Sequence, residues 1–342
     1  MLSGMALHER EITAAVDLAG PTGLLNPEAV GWTRTPLHRT DTVTHGLIGR
    51  TRTKRWEYWG ITTPTHAVGL VVSDISYAST HGIFVLDRRT GEQISHDAVG
   101  LPRAATLPGT LGASPSRSRT RQVQLDFTHH DDGTHLSASG PRVRLEAEAH
   151  RPPGHESLGV MVPWSQRFYQ YTVKDLARPV TGTLWVDGTA HEIPAGRSWA
   201  TLDHGRGRWH RDVRWNWGAG SGTVAGQTVG VQVGGQWTAG TGSTENALLW
   251  GGRLFKIGAE LDWTYDRQDW LAPWRVHGEG VQLTFTPQHL RRAVTELAVI
   301  SSRTHQCFGV WSGQIRVPDG PEVVLDPSDE VYGWAEDVHQ RW

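Results

Sequence analysis

Side chains that could transfer protons lie in two Gly-rich stretches of the second half of the chain. Asp203 and His204 are adjacent and are followed by two closely spaced glycines. Glu245 lies in the run Gly-Thr-Gly-Ser-Thr-Glu-Asn-Ala, residues 240–247. An imidazole, or a buried carboxyl group with a raised pKa, can donate or accept a proton near neutral pH. We therefore take His204, Asp203 and Glu245 as the candidate catalytic residues.

Each of these candidates also has a purely structural interpretation. Neighbouring side chains of a regular strand point to opposite faces, so Asp203 and His204 form a dyad only if a bulge realigns them. Gly205 and Gly207 would permit such a bulge, a feature that is common near active sites. In the structural alternative the aspartate caps backbone amides and the histidine is hydrogen-bonded in the core. Glu245 would then be an exposed loop residue that fixes a turn.

Tryptophan is abundant and recurs beside polar residues. The chain has 17 Trp, 18 His and 40 Gly, and residues 214–217 read Arg-Trp-Asn-Trp. An indole ring buries a large area while its N–H needs a partner, so this alternation favours the wall of a wet cavity. The candidate substrate-binding residues are Trp209, Trp215, Trp217, Trp237, Asn216, Gln236 and Arg206.

Composition argues against several other classes of function. The chain has 33 Lys and Arg against 35 Asp and Glu, a net charge of −2, and lacks the basic surplus typical of nucleic-acid binding. The polar run from His129 to His135 has no recognised zinc-ligand spacing and is better explained as a hairpin turn. The glycine-containing motifs scattered along the chain lack the Lys-Ser/Thr ending of a phosphate-binding loop. We expect no metal and no cofactor.

Three features indicate a cytoplasmic protein. Cys307 is the single cysteine, so no intrachain disulfide can form, which is typical of a reducing compartment. Charged residues at positions 9–11 interrupt the apolar core that a signal peptide would need. No stretch approaches the roughly 18 consecutive apolar residues of a membrane helix, so we expect no stable membrane insertion.

The elements that position these residues are predicted to be strands. Apolar and polar residues alternate with a period of two, which is the pattern of a strand with one buried face. Clear examples are residues 123–127, 143–149, 229–233 and 281–285. Because no long helical crossover separates these runs, we expect antiparallel sheets closed into barrels or stacked as sandwiches.

Turn and helix signals complete the predicted architecture. Asp-Gly pairs suit type I′ hairpins, in which both central residues have positive φ. They occur at 132–133, 187–188 and 319–320. Short helices are expected only near the termini, over residues 5–16 and from Trp334 to Trp342, where apolar residues recur every four positions.

One segment resembles a known group of enzymes. Residues 182–188, Gly-Thr-Leu-Trp-Val-Asp-Gly, followed by Trp199 and the Asp203-His204 pair, resemble the carotenoid 1,2-hydratase group and its lipocalin-like relatives, which include certain Diels–Alderases. The resemblance implies two tandem lipocalin-like β domains with a ligand pocket near their junction, and it supports His204 as a functional residue. It departs from the group's pattern after His204, where Gly-Arg-Gly replaces Asn-Trp-Gly.

A second resemblance covers nearly the whole chain. Four segments resemble a bacterial family numbered 2804 among the domains of unknown function, and this family implies no particular reaction. The segments are LLNPEAVGWTRTPLH at 24–38, KRWEYWGITTP at 54–64, TLDHGRGRW at 201–209 and STENAL at 243–248.

Together these observations predict an all-β protein with lipocalin-like domains at 1–195 and 196–342. We expect a cofactor-independent hydratase, lyase, isomerase or cyclase that acts on an apolar, isoprenoid- or polyketide-like small molecule in a Trp-lined pocket near the domain junction. A buried acid would protonate an alkene or polarise a carbonyl, while indole faces stabilise positive charge. The alternatives are a non-catalytic protein that binds a lipid or another small molecule, and a carbohydrate-binding module with Trp on a convex surface.

Overall fold

The computed structural model describes residues 9–44, 52–102, 104–297, 300–318 and 320–341. These residues form β-strands and three short 3-10 helices, Pro27–Ala29, Asp41–Thr44 and Pro327–Asp329. No helix in the described part of the chain has the length and apolarity needed to cross a bilayer.

The strands divide into two groups along the chain. Up to residue 208 they are β1 (Val16–Asp17), β2 (Trp32–Thr33), β3 (His38–Arg39), β4 (Thr53–Thr62), β5 (His66–Asp74), β6 (Ser79–Asp87), β7 (Gln93–Gly100), β8 (Ser116–Arg119), β9 (Gln124–His130), β10 (Gly133–Ser139), β11 (Val143–His150), β12 (Leu158–Pro163), β13 (Tyr169–Val186), β14 (Thr189–Ile193) and β15 (Trp199–Arg208). From residue 212 they are β16 (Asp212–Val224), β17 (Gln227–Gly235), β18 (Asn246–Trp250), β19 (Arg253–Ile257), β20 (Asp262–Thr264), β21 (Trp274–Gly278), β22 (Val281–Leu297), β23 (Ile300–Arg316), β24 (Glu322–Leu325) and β25 (Tyr332–Arg341).

Two antiparallel sheets contain almost all of these strands. The first, of thirteen described strands, runs β7-β6-β5-β4-β15-β13-β11-β10-β9-β8, with β12 and β14 paired to β13 and β2 paired to β12. The second, of ten described strands, runs β19-β18-β17-β16-β25-β23-β22-β21-β20, with β24 paired to β23. A separate parallel pair joins β1 to β3.

Each sheet curls around its own apolar core. The inner face of the first sheet buries a cluster that includes Trp59, Leu125 and Phe127. The second sheet buries another cluster that includes Trp274 and Trp311. The predicted all-β class with two lipocalin-like halves is therefore confirmed. The period-two alternation of the strands places one apolar face of each strand in these cores.

The outer faces of the two sheets pack against each other. Phe84 of β6 stacks on Phe308 of β23, with ring centroids 5.5 Å apart and an interplanar angle of 17°. Trp334 of β25 lies directly over Gly60 of β4, where any Cβ atom would overlap its indole ring. We use the term junction for this contact between the outer faces, and the candidate site lies within it.

The predicted terminal helices are wrong where the structure describes them. Trp334 and Val338 lie in β25, and residues 9–16 contain no helix. Residues 5–8 and Trp342 lie outside the described residues. Apolar spacing of four positions misled the prediction because it is also a multiple of the strand period of two.

The hairpin prediction is confirmed in full at one of the two Asp-Gly pairs that the structure fully describes. A hairpin also connects β9 to β10, but Gly133 pairs with His130, so Asp131 and Asp132 form its turn, and neither Asp132 nor Gly133 has a positive φ. The type I′ turn predicted at 132–133 is therefore wrong. Asp187 and Gly188 connect β13 to β14 with φ values of 49° and 81°, as a type I′ turn requires. The third pair includes Asp319, which lies outside the described residues.

The change of sheet falls between Arg208 and Asp212. Strand β15 begins at Trp199, after the predicted domain division at 195/196, and it pairs with β4 and β13 of the first sheet. The division into 1–195 and 196–342 remains a prediction about which parts fold as units.

Candidate active site between the two sheets

The regular register of β15 separates Asp203 from His204. Asp203 pairs with Tyr58 and His204 pairs with Glu57 on β4, without any irregularity in this pairing. Because adjacent side chains of a strand point to opposite faces, Asp203 faces the junction and His204 faces the interior of the first sheet. The two residues do not form a dyad.

A buried lysine on β13 joins two carboxylates at the junction. Lys174 Nζ lies 3.0 Å from Asp203 Oδ1 and 3.4 Å from Glu245 Oε2. Asp203 also accepts hydrogen bonds from Thr172 Oγ1 at 3.0 Å and from Trp56 Nε1 at 3.0 Å. The structure thus brings together two of the three predicted catalytic residues, through a lysine that connects the first sheet to the loop before β18.

Two tryptophans, Trp217 of β16 and Trp237 of the loop after β17, contact this ion-pair cluster. Trp237 Nε1 donates to Glu245 Oε1 at 2.6 Å. Lys174 Nζ lies 4.1 Å from the ring centroid of Trp217, a cation–π distance. Trp217 Nε1 in turn donates to Gln232 Oε1 at 2.9 Å, which fixes the orientation of the indole.

A third carboxylate, Glu336 of β25, faces the same cluster. It accepts hydrogen bonds from Trp215 Nε1 at 2.9 Å and from Gln306 Nε2 at 3.1 Å. Its charge interacts with those of Lys174 and Asp203. Donor groups from two strands therefore hold this carboxylate at the junction.

Burial and charge set the protonation of the cluster. Burial alone would lower the pKa of Lys174, but the carboxylates of Asp203 and Glu245 outweigh this effect and raise it. Burial raises the pKa of Glu245, although Lys174 and Trp237 oppose the shift. Glu245 is therefore a buried carboxyl group with a raised pKa.

Glu336 has a pKa near neutral pH. Burial raises its pKa to about 7, although Trp215 and Lys174 oppose the shift. Burial likewise raises the pKa of Tyr58, so its hydroxyl stays protonated at neutral pH. The junction therefore combines a fixed cation with a carboxyl group that can give up or take a proton under ordinary conditions.

A cluster of five indole rings forms one side of the site. Trp209 lies at its centre, with ring centroids 5.5 Å from Trp56, 5.5 Å from Trp164, 5.8 Å from Trp215 and 6.2 Å from Trp237. Trp56, Trp164 and Trp215 are half-buried, whereas the other two are buried. The four predicted Trp residues therefore lie at or beside the junction and form no exposed platform.

The acid/base cluster retains a little accessible surface. Asp203, Lys174 and Glu336 are 8%, 4% and 6% exposed, respectively. Water can therefore reach these side chains, although the indole rings pack closely around them. Two cavities, of about 170 and 230 Å³, lie elsewhere and are lined by other residues, such as Arg88 and His191.

His204 lies inside the first sheet, away from this cluster. Its side chain is fully buried, and neither ring nitrogen has a hydrogen-bond partner among the described residues. Burial and the nearby charge of Arg206 hold its pKa well below the usual range, so the ring is neutral. Arg206 points the same way and donates to the main-chain carbonyls of Gly205 and Pro108 at 2.8 and 3.0 Å.

Asn216 and Gln236 also lie away from the acid/base cluster. Asn216 alternates with Trp215 and Trp217 on β16, so it faces the other side of the second sheet. There it donates to the Tyr265 hydroxyl at 3.0 Å and accepts from Gln236 Nε2 at 2.6 Å. Gln236 is itself exposed.

The two glycines after His204 provide space and do not form a bulge. A Cβ atom at Gly205 would overlap the indole of Trp56, and one at Gly207 would overlap Gln170 and the backbone of Tyr169. Gly205 thus allows Trp56 to lie flat across β15, where its N–H reaches Asp203.

Sequence reasoning missed Lys174, Glu336 and Tyr58. Lys174 gave no clear signal, because it lies between Val173 and Asp175, and an adjacent Lys-Asp pair is usual on a solvated face. Glu336 was missed because the segment from Trp334 to Trp342 was predicted to be a helix. In such a helix Glu336 would have been one of several charged surface residues. No local pattern shows that these residues meet, since Lys174 and Tyr58 lie on different strands of the first sheet and Glu336 lies on a strand of the second.

The described residues contain no group of three or more His, Cys, Asp and Glu side chains arranged to hold a metal ion. In the His129–His135 stretch, His129 is paired with Glu57 at 2.8 Å and His130 with Glu148 at 2.8 Å. These histidines therefore form ion pairs or hydrogen bonds with single carboxylates.

Solved structures share this architecture at low sequence identity. Kievitone hydratase from Nectria haematococca is 12% identical, over 84% of this chain and 88% of that chain, with a TM-score of 0.53. A candidate ATTH protein from Nitrosomonas europaea is 11% identical, over 84% and 92%, with a TM-score of 0.51. CghA, solved with Sch210972, is 12% identical over 85% and 89%, with a TM-score of 0.49. The first two similarities establish a common fold.

The family assignment comes from sequence. No curated protein matches the chain significantly. A family model described as a domain of unknown function, DUF2804, matches residues 9–342 of the 342-residue chain. The match covers both sheets and every residue of the candidate site. The chain therefore belongs to the DUF2804 family.

Proposed function

We propose that this protein is a cofactor-independent acid/base enzyme, a hydratase, lyase, isomerase or cyclase, that acts on an apolar isoprenoid- or polyketide-like small molecule at the junction. The observation that carries the proposal is Lys174 held between Asp203 and Glu245, beside Glu336 and within a group of indole rings. Perturbed titratable groups in a partly apolar setting are typical of sites of proton transfer. The fold shared with a protein named as a hydratase is consistent with this proposal.

Glu336 is the proton donor in this proposal. With a pKa of about 7 it is substantially protonated at neutral pH, and the indole N–H of Trp215 and the amide N–H of Gln306 fix its orientation. Asp203 is the base, since its carboxylate is held by Lys174, Thr172 and Trp56. Lys174 is a positioning residue that keeps the carboxylates in place.

A hydration illustrates the proton balance. Glu336 gives its proton to one carbon of an alkene, and water adds to the other carbon. The proton that this water loses passes to Asp203, and transfer from Asp203 to Glu336 restores both groups. The face of the half-buried Trp215 stabilises the positive charge that develops on the substrate, by about 0.5–2 kcal/mol.

Substrate occupies the junction beside the five-indole cluster. The half-buried rings of Trp56, Trp164 and Trp215 lie on its accessible side. A ligand that displaces or tilts these rings exchanges indole–indole contacts for indole–ligand contacts, which favours apolar molecules. It also excludes bulk water from Glu336 and Asp203, which strengthens their electrostatic effects.

Incubation with bacterial metabolite extracts tests this proposal. The native protein should convert at least one apolar metabolite into a species that differs by one water, or into an isomer with a new retention time, detected by liquid chromatography and mass spectrometry. Glu336→Gln should lose this conversion, and Arg275→Gln, an exposed control on β21, should keep it. Retention of a metabolite without any conversion would contradict catalysis and support the alternative of a small-molecule binding protein.

A further inference from the structure

A row of polar side chains crosses three strands of the second sheet and ends at Glu336. Gln306 of β23 lies directly opposite Glu336 of β25, and Arg291 of β22 lies directly opposite Gln306. Residues that are paired in this way on neighbouring strands have their side chains on the same face of a sheet. Because Glu336 faces the junction, Gln306 and Arg291 face it as well. The row therefore connects the acid/base cluster to a guanidinium that the proposed reaction does not use.

Hydrogen bonds run along this row in one direction. Arg291 Nη1 donates to Gln306 Oε1 at 3.2 Å, and Gln306 Nε2 donates to Glu336 Oε2 at 3.1 Å. Gln306 also hydrogen-bonds the Tyr58 hydroxyl. A guanidinium can only donate hydrogen bonds, so Gln306 must present its amide oxygen to Arg291, and its amide nitrogen is left for Glu336. Arg291 thus determines the orientation of the Gln306 amide.

The first sheet holds Arg291 in place. Its guanidinium carbon lies 4.3 Å from the ring centroid of Phe84 on β6, a cation–π distance. Phe84 itself stacks on Phe308 of β23, two positions along the strand from Gln306. The packing of the two sheets therefore places the half-buried guanidinium where it reaches Gln306.

The protonation of Glu336 depends on what faces its carboxyl group. Burial raises its pKa most, the indole of Trp215 and the charge of Lys174 lower it, the charge of Asp203 raises it and that of Arg291 lowers it. A hydrogen bond donated to a carboxylate stabilises the ionised form and also lowers the pKa. An amide oxygen turned towards the same carboxyl group would instead favour the protonated form. The orientation of the neighbouring amide therefore decides the sign of its effect on Glu336.

We propose that Arg291 is a positioning residue for Glu336 and acts by fixing Gln306 as a hydrogen-bond donor to its carboxylate. The inference rests on the proposed role of Glu336 as the proton donor. Without Arg291, the Gln306 amide is free to turn its oxygen towards Glu336, which then holds its proton more tightly and becomes a weaker acid. Arg291 thus keeps the proton donor ready to release its proton near neutral pH.

Carbon-13 NMR of the full-length protein, with glutamate labelled at the carboxyl carbon, measures the ionisation of Glu336 directly. The signal that titrates near pH 7 in the native protein and is absent from Glu336→Gln belongs to this residue. Arg291→Gln has a side chain too short to reach Gln306, and it should raise the pKa of Glu336 by about one pH unit, because a hydrogen bond to the charged group is lost. Arg291→Met should give the same rise and takes its place if Arg291→Gln fails to fold.

Arg292→Gln is the matched control. It removes the same charge from the next position of β22, where the side chain is exposed and points to the opposite face of the sheet. The pKa of Glu336 should be unchanged in this variant. A rise equal to that in Arg291→Gln would reduce the effect to overall charge and overturn the proposal, as would an unchanged pKa in the Arg291 variants.

Gln306→Met separates the orientation of the amide from the direct charge of Arg291. It removes the amide donor, so it should raise the pKa of Glu336 by a similar amount. Adding Arg291→Gln to Gln306→Met should then raise the pKa by less than about half of its effect in the native protein, because the two residues act in sequence. Fully additive shifts would show that Arg291 acts by its charge alone and would overturn the proposal.

This titration needs no substrate, so its outcome is independent of the proposed reaction. Turnover that survives in Glu336→Gln would contradict the proposed proton donor, whereas an unmoved pKa in Arg291→Gln would contradict only the role of Arg291. In the extract assay, the pH at which turnover declines should move upwards in Arg291→Gln by the same amount as the pKa. A lower rate with an unmoved pH profile would show that Arg291 has a merely structural role.

Discussion

Lys174 determines the electrostatics of the junction. It is nearly fully buried and contacts one carboxylate from the first sheet, Asp203, and one from the second half of the chain, Glu245. Burial of two carboxylates near one another is costly unless a cation compensates them. Lys174 thus both stabilises the junction and holds Asp203 and Glu245 in their positions in the proposed site.

Replacement of Lys174 by Met should lower the free energy of unfolding by about 3–5 kcal/mol, because it leaves two buried carboxylates without their cation. Urea denaturation at pH 7 measures this change. Adding Asp203→Asn and Glu245→Gln to the same variant removes both charges and should recover most of the loss. If Lys174→Met alone were as stable as the native protein, that result would contradict this account of the cluster.

The pH dependence of turnover should follow Glu336. Its pKa is raised to about 7, so the carboxyl group is protonated below that pH and ionised above it. A reaction that uses this proton slows as pH rises through about 7. Glu336→Gln should lower kcat/KM by about 100- to 10,000-fold and remove this alkaline decline, as measured on a metabolite found with the extract assay. A decline that persists unchanged in the variant would assign the proton to another group.

The strands show what a single sequence can and cannot predict. Alternation and Asp-Gly turns are local, so they correctly predicted most strands and the hairpin at Asp187-Gly188. The same alternation predicted that Asp203 and His204 point to opposite faces unless a bulge intervenes. The regular pairing of β15 with β4 shows that they do point to opposite faces. Lys174 and Glu336 meet Asp203 only through pairing and packing between distant strands, which no local pattern encodes.

Gly205 should matter because of the indole that covers it. Gly205→Ala places a methyl group where the ring of Trp56 lies, so the ring must move away from Asp203. We expect a loss of about 1–3 kcal/mol in the free energy of unfolding, together with reduced turnover. Thermal denaturation and the extract assay measure the two effects.

Gly20→Ala is the matched control for this substitution. No heavy atom comes closer than 4.0 Å to a Cβ atom built at Gly20, so this variant should be nearly neutral. Equal behaviour of the two alanine variants would show that Trp56 does not depend on the space at Gly205.

The entire protein is organised around the contact between two curled sheets. Sequence alone predicted two lipocalin-like halves with a functional region between them, and the two sheets confirm the fold. It placed the division at 195/196 because a turn follows the hairpin at Asp187-Gly188. Hydrogen bonding places β15 in the centre of the first sheet, between β4 and β13, and the division at 195/196 stays a prediction about folding units.

Fragments of the chain should distinguish these boundaries. A fragment of residues 1–195 lacks β15 and leaves β4 and β13 with unpaired edges, so it should show no cooperative unfolding transition. A fragment of residues 1–211 retains the complete first sheet and should unfold cooperatively. Circular dichroism during heating measures both. Cooperative unfolding of the shorter fragment would support the division at 195/196.

The most direct test compares two adjacent residues of β15. Asp203→Asn removes the charge that faces the junction, whereas His204→Leu replaces a neutral, unpartnered ring inside the first sheet. Initial rates on a metabolite converted by the native protein should fall at least 100-fold in Asp203→Asn and stay within about twofold in His204→Leu. Loss of turnover in His204→Leu with full turnover in Asp203→Asn would place the chemistry inside the first sheet and contradict a site at the junction.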